Sequence, residues 1–143
     1  MYVKTILDEK GRNVVTGGPQ LTVRQAAVYL HENHIGAIVI LDRNDRIAGI
    51  ATERDIVAAI ARNGADCLDK PISSIMWGNV YRCGETESVN ELMEMMSKLR
   101  ARHIPVEKDG RLVGIISIGD VVKNHIAEVE MEVTAMRGYF VTG

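Results

Sequence analysis

The sequence predicts a mixed α/β (α+β) fold built from two tandem β-α-β-β-α repeats. Three observations carry that prediction. Residues 21–58 resemble residues 87–123 at an offset of about 65 positions, and self-similarity at a fixed spacing is the mark of a duplicated unit. In both copies the apolar residues pass from helical spacing to short strand-like runs. Both copies also close on one motif, Gly-Ile-x-Thr/Ser-x-x-Asp.

Thr22, Val23, Gln25 and Leu30 correspond to Ser88, Val89, Glu91 and Met96. Thr22 with Gln25, and Ser88 with Glu91, have capping-box spacing, with a hydroxyl at the N-cap and an amide or acid three residues on. Helical spacing follows in Val23, Ala26, Ala27 and Leu30, and again in Val89, Leu92, Met93 and Met96. The methionines read as core filling, because a flexible thioether packs irregular gaps. Apolar runs at 38–41 and 104–106 predict strands. Asn44-Asp45 and Asp109-Gly110 then supply hairpin turns. Second strands are expected at 47–51 and 112–116, with helices after Thr52 and Ser117. Short strands at Val14-Val15 and Val80-Tyr81 open the two units.

Between the copies, residues 63–71 read as a linker. Asp69 and Pro71 suit the start of one helical turn over 72–76, and residues 3–7 resemble that turn. The last helix is expected to run to about Met136. A tail, Gly138-Tyr139-Phe140-Val141, holds the only Phe and suits packing on the body or on a second subunit. The expected division is a first repeat at 1–68, a second at 69–126 and a C-terminal extension at 127–143.

Composition narrows the function classes. With 143 residues and 46% hydrophobic content, the chain can bury a core without disulfide or metal staples. A net charge of -2 and a pI near 6.1 argue against a nucleic-acid partner, which calls for a basic excess. No polybasic run suits a lipid surface, no apolar stretch is long enough to span a membrane, and Asp8 and Glu9 interrupt any leader-like run. Cys67 and Cys83 have no metal-ligand spacing and read as reduced thiols of a cytoplasmic protein. His31 and His34 are spaced as a helical pair without further ligands, so they read as a solvated face, and His125 has no visible partner.

The motifs Gly49-Ile50-Ala51-Thr52-Glu53-Arg54-Asp55 and Gly114-Ile115-Ile116-Ser117-Ile118-Gly119-Asp120 admit two readings. Thr52-x-x-Asp55 and Ser117-x-x-Asp120 are capping patterns, contributing about 1 kcal/mol each to a helix start. The same geometry suits a nucleotide. Free N–H groups at a helix start attract phosphate, a hydroxyl can donate to it, and a carboxylate one turn in can accept from both hydroxyls of a ribose diol. A ligand can borrow a capping residue, so the readings coexist.

This duplicated unit with its closing motif resembles a tandem cystathionine-β-synthase (CBS) domain pair, the Bateman module. Arg102-His103-Ile104-Pro105-Val106 is similar to the family's strand start, and Asp109-Gly110-Arg111-Leu112-Val113-Gly114-Ile115 to its hairpin. The resemblance covers roughly residues 3–126. It implies repeats packed as a pseudo-two-fold pair, with adenosine-type sites in the clefts between them. By that resemblance Asp55 and Asp120 hold ribose hydroxyls, and Thr52 and Ser117, beside Ile118, contact phosphate or ribose oxygens. Arg54, Arg102 and His103 meet phosphate. The base is expected among Val15, Thr16, Gly36, Ala37 and Ile38 in one copy, and among Arg82, Cys83, His103, Ile104 and Pro105 in the other.

The two sites are not equal. Gly119 replaces Arg54 in the second motif, and His34-Ile35-Gly36 stands near the position of Arg102-His103. Gly17-Gly18-Pro19 predicts a flexible first loop, and Glu107 puts a charge where the family has an apolar residue.

The resemblance implies a regulatory module that senses AMP, ADP, ATP or NAD(H) and requires no metal. It also implies a homodimer associated through helices and an unidentified protein effector. The alternative is a scaffold dimer whose motifs only cap helices. An enzyme is not expected, because no nucleophile set or Gly-rich phosphate loop stands out, and two equivalent aspartates suit duplicated binding better than one reaction centre.

Overall fold

A computed structural model describes the backbone of residues 1–142 and the side chains of residues 1–138. The order is α1 (Val3–Lys10), β1 (Thr16–Gly17), α2 (Val23–Glu32), β2 (Ala37–Leu41), β3 (Ile47–Thr52), α3 (Glu53–Asn63), α4 (Val89–Leu99), β4 (His103–Lys108), β5 (Arg111–Ser117) and α5 (Ile118–Thr142). Two 3-10 turns, Ala65–Asp69 and Ile72–Ser74, lie between α3 and α4. No helix among the described residues is long and apolar enough to cross a membrane.

Each repeat is a helix-flanked antiparallel hairpin. In the first, β2 pairs with β3, and β1 adds in parallel through Thr16↔Val39 and Gly17↔Ile40. In the second, β4 pairs with β5, and the parallel contact shrinks to one bridge, Cys83↔Val106. The opening strands therefore sit two or more residues later than Val14-Val15 and Val80-Tyr81 suggest. The ladder bonds decide this: Cys83 N–H donates to the Pro105 carbonyl at 3.0 Å, and Glu107 N–H to the Cys83 carbonyl at 2.9 Å. Both hairpin turns use left-handed residues, Asp45 at φ 57° in one and Asp109 and Gly110 at φ 53° and 77° in the other. Consecutive positive φ values match the right-handed twist of paired strands.

Capping explains the helix starts. Thr22 Oγ1 accepts from Gln25 N–H, and the Gln25 side chain accepts from Thr22 N–H, a complete capping box. Ser88 Oγ accepts from Glu91 N–H, but the Glu91 side chain does not return the bond, so this box is half-formed. The loop at Gly17-Gly18-Pro19 is tied down rather than loose: Leu21 N–H donates to the Gly18 carbonyl and Ser73 N–H to the Pro19 carbonyl. Glu107 is paired with Arg82 at 2.6 Å. The final helix does not stop near Met136 but continues to Thr142, so the expected tail is helical backbone; its Tyr139, Phe140 and Val141 side chains lie outside the described residues.

Two hydrophobic clusters form the interior, each closed by a segment remote in sequence. Val23, Ala26, Leu30, Ile38, Ile40, Ala51 and Ile56 pack with Ile72, backed by Leu68, Ile75 and Met76 from the segment before α4. Val89, Leu92, Met96, Ile104, Val106, Ile116 and Val121 pack with Val3, Ile6 and Leu7 from α1. The likeness of residues 3–7 to 72–76 is thus a likeness of role. Gly49 of β3 leaves room for Met76, and Gly114 of β5 leaves room for Leu7. A Cβ on Gly114 would stand 2.7 Å from Leu7 Cδ2 and one on Gly49 2.8 Å from Met76 Cγ, closer than side chains tolerate.

Candidate functional site

The first closing motif opens onto a cleft of about 500 Å³ between the repeats. Thr52 ends β3 and caps α3. Its N–H donates to Asp55 Oδ2 at 2.9 Å, its hydroxyl donates to the same oxygen at 3.0 Å, and Asp55 N–H donates back to Thr52 Oγ1 at 3.2 Å. Asp55 Oδ1 takes part in none of these bonds. Glu53 N–H donates to the Gly36 carbonyl at 3.0 Å, which fixes the helix start against β2. The second repeat repeats the arrangement, with Ile118 N–H donating to the Arg102 carbonyl at 2.8 Å.

The facing wall of the cleft comes from the second repeat and the loop before α4. Besides Gly36, Thr52, Glu53, Arg54 and Asp55, the cleft is lined by Trp77, Tyr81, Arg100, Arg102 and His103, among others. Arg54, Arg100 and Arg102 form no ion pair among the described residues. Arg100 caps α4 in a left-handed conformation, φ 52°, where glycine is the common occupant. A non-glycine residue there carries a conformational cost that invites a functional account. The Trp77 indole lies at the rim, its N–H donating to the Asn79 carbonyl at 3.0 Å, while its backbone exchanges two hydrogen bonds with Ile50.

His103 stands at the meeting point of the repeats. A Cβ on Gly36 would lie 3.2 Å from the imidazole and 3.4 Å from Glu53 Oε1, so a larger residue there would press on both side chains. Burial is the largest influence on the imidazole and lowers its pKa below the ordinary value. Glu53 and Asp120 oppose that shift, and Lys10 and Arg102 reinforce it.

The second motif has different company. Ser117 N–H donates to Asp120 Oδ2 at 2.8 Å, and Asp120 N–H to Ser117 Oγ at 3.2 Å. The same Oδ2 accepts from Lys10 Nζ at 2.7 Å, and the ammonium also donates to the Ile115 carbonyl at 2.8 Å. Lys10 arrives from the last turn of α1. Burial would raise the Asp120 pKa, but bonds from Lys10 and Ser117 outweigh it and hold the carboxyl below its usual range.

Of the sequence-predicted residues, Gly36, Thr52, Arg54, Asp55, Arg102 and His103 come together at one cleft. Thr16 lines a separate cavity of about 250 Å³ with Arg12, Asp45 and Arg111. Ala37, Ile38, Ile104 and Cys83 are buried in the cores, and so is Pro105. Burial drives the Cys83 thiol up to about 12, so it stays protonated. Val15 packs on the first core, and Arg82 is held by Glu107 and the Ile47 carbonyl. Sequence reasoning missed Glu53, Trp77, Tyr81, Arg100 and Lys10. An arginine at a helix end lacking glycine, and a lone Trp in a polar loop, were available signals. Nothing local in the sequence ties Lys10 to Asp120.

Comparison with known proteins agrees with this geometry. The CBS domain family model matches twice, at residues 4–62 and 72–126. A crystal structure of a CBS-domain-containing protein from Agrobacterium tumefaciens is 50% identical, with a TM-score of 0.85 over 87% of this chain and 99% of that one. The CBS domain pair of protein MJ0100, in complex with 5'-methylthioadenosine and S-adenosyl-L-methionine, is 30% identical, with a TM-score of 0.80 over 90% and 98% of the two chains. A CBS domain protein from Pyrobaculum aerophilum complexed with AMP is 30% identical, with a TM-score of 0.75 over 84% and 89%. The chain spans 63% and 58% of the length of two curated relatives, from Acidianus ambivalens and Methanopyrus kandleri. Two matches of one family model, and the duplicated architecture they fall on, establish that the chain belongs to the CBS domain family as a tandem pair.

Proposed function

We propose that the chain is a non-catalytic regulatory module that binds an adenine nucleotide, AMP, ADP, ATP or NAD(H), in the cleft beside Thr52 and Asp55. One observation carries the reading. Three guanidiniums with no ion-pair partner among the described residues, Arg54, Arg100 and Arg102, line one cleft with a capped helix start. Uncompensated arginines in a concave site favour phosphate, which a planar fork of donors fits. Asp55 retains a carboxylate oxygen for a ribose hydroxyl, and a cleft near 500 Å³ is of nucleotide size. The AMP and adenosyl ligands of the related pairs support the same ligand class. Ser117, Ile118 and Asp120 form the second site, where Asp120 already accepts from Lys10 through Oδ2.

In this reading the module works in the cytoplasm as a homodimer and passes its state to a protein effector. Binding regulates only if the ligand prefers one arrangement of the repeats over another. The scaffold alternative has its own support, because both motifs are complete capping pairs without any ligand.

Thermal unfolding with AMP, ADP, ATP, NAD, NADH and S-adenosylmethionine separates the two. A ligand at one hundred times its dissociation constant stabilises the fold by about 2.7 kcal/mol. A midpoint rise with a nucleotide, abolished by Asp55→Ala, upholds sensing. No rise with any ligand leaves the motifs as caps and favours the scaffold.

A further inference from the structure

Helix α5 carries a pattern that neither the cleft nor the cores use. Its root packs on the body through Val121 and Asn124, both buried. From Val129 to Arg137 every residue is exposed, a run of about two and a half turns.

The apolar residues on it are spaced for a partner helix. Val122, Ile126, Val129, Val133 and Met136 follow each other at alternating intervals of four and three residues, and all five are between 41% and 59% exposed. That is a heptad seam, with Ile126 and Val133 at a and Val122, Val129 and Met136 at d. A surface helix facing its own core shows a broader stripe at period 3.6. A narrow seam at positions a and d over two heptads is the pattern of a helix packed on another helix.

The flanks identify the partner as a second copy. His125 and Glu132 occupy g, and Lys123, Glu130 and Arg137 occupy e. In a parallel, in-register pair each g residue faces the e residue five positions on in the other helix. This sets Glu132 against Arg137 of the second copy, and His125 against Glu130. None of these residues is engaged in an ion pair within the chain among the described residues. β-branched residues at a suit the close layers of such a pair.

We infer that α5, from Val122 onward, forms a parallel two-stranded coiled coil with α5 of a second copy, joining two CBS pairs at their C-terminal helices. The inference stands on this helix alone. It specifies one contact for the homodimer and does not depend on the ligand reading.

Interchain cross-linking of the full chain tests it. Under mild oxidation, Val133→Cys places like residues opposite each other and gives a disulfide-linked dimer, while Met131→Cys, on the outer face, stays uncrosslinked. Wild type is the blank, because Cys67 and Cys83 are buried. Val129→Lys with Val133→Lys raises the dimer dissociation constant at least tenfold in sedimentation equilibrium. The substituted residues touch no core, so circular dichroism of the body is retained. A monomeric wild type, equal cross-linking of the two cysteine variants, or a dimer unmoved by the lysines overturns the coiled coil. In the last case a dimer through other helices survives, and nucleotide-induced stabilisation is read independently in every variant.

Discussion

Asp55 in the first repeat is bonded only to its own helix start, whereas Asp120 in the second is also held by an ammonium from α1. Around Asp55 lie three guanidiniums that compensate no carboxylate. Asp120 is instead paired directly with the Lys10 ammonium. The two motifs are close copies in sequence, yet one presents a net positive cleft and the other a closed ion pair. A duplicated motif therefore does not imply duplicated sites: what sets each site is the neighbour delivered by a different part of the chain.

Removing each aspartate in turn separates the two clefts most strongly. Asp55→Ala should weaken nucleotide binding roughly 10- to 100-fold, the worth of hydrogen bonds to a charged acceptor, whereas Asp120→Ala should leave first-cleft affinity within about twofold. Isothermal titration reads both. Equal losses would mean that the clefts are equivalent despite Lys10.

Packing makes a second contrast. Gly114→Ala pushes a methyl into Leu7, which is fully buried, and should cost about 1–3 kcal/mol. Gly49→Ala meets the half-buried and more flexible Met76, and should cost less than about 1 kcal/mol because a thioether can swing aside. Denaturant unfolding of the two variants tests the ranking.

Lys10→Ala should convert the closed motif into an open one. The pair is partly exposed, so the loss of stability should stay within about 1 kcal/mol, while nucleotide stoichiometry should rise from one towards two. An unchanged stoichiometry would show that Lys10 does not guard the second motif.

The smallest effect concerns pH. His103 is held below the ordinary imidazole value of about 6.5, so the folded state disfavours its charged form. Its contribution is complete above about pH 6.5 and is lost as pH falls towards the lowered value. Burial sets that value first, with Glu53 and Asp120 opposing it and Lys10 and Arg102 adding to it. His103→Gln should flatten the fall in melting temperature on mild acidification, before the carboxylates titrate.

Much of the architecture was legible because the signals are local. Thr22-x-x-Gln25, Asp109-Gly110 and the spacing of Val89, Leu92 and Met96 each fix their own turn of chain. The opening strands were misplaced because their pairing is long-range: a single bridge at Cys83 answers to Val106, and nothing in Val80-Tyr81 reveals it. At the site, Thr52, Arg54, Asp55, Arg102 and His103 follow from motif and neighbourhood. Arg100 and Lys10 do not, because one depends on an unusual backbone conformation and the other on a contact spanning most of the chain.

The exchange of Leu7 and Ile72 between the two interiors has a consequence for cutting the molecule. A break between Asp69 and Lys70 would leave α1 on the N-terminal piece, seated in the other piece's interior, and Ile72 on the C-terminal piece, seated in the first. Neither piece could leave without stripping the other's interior of its lid. The halves are hooked like two links, so the nicked protein should migrate as one particle until it is denatured, and neither half should survive alone as a folded fragment.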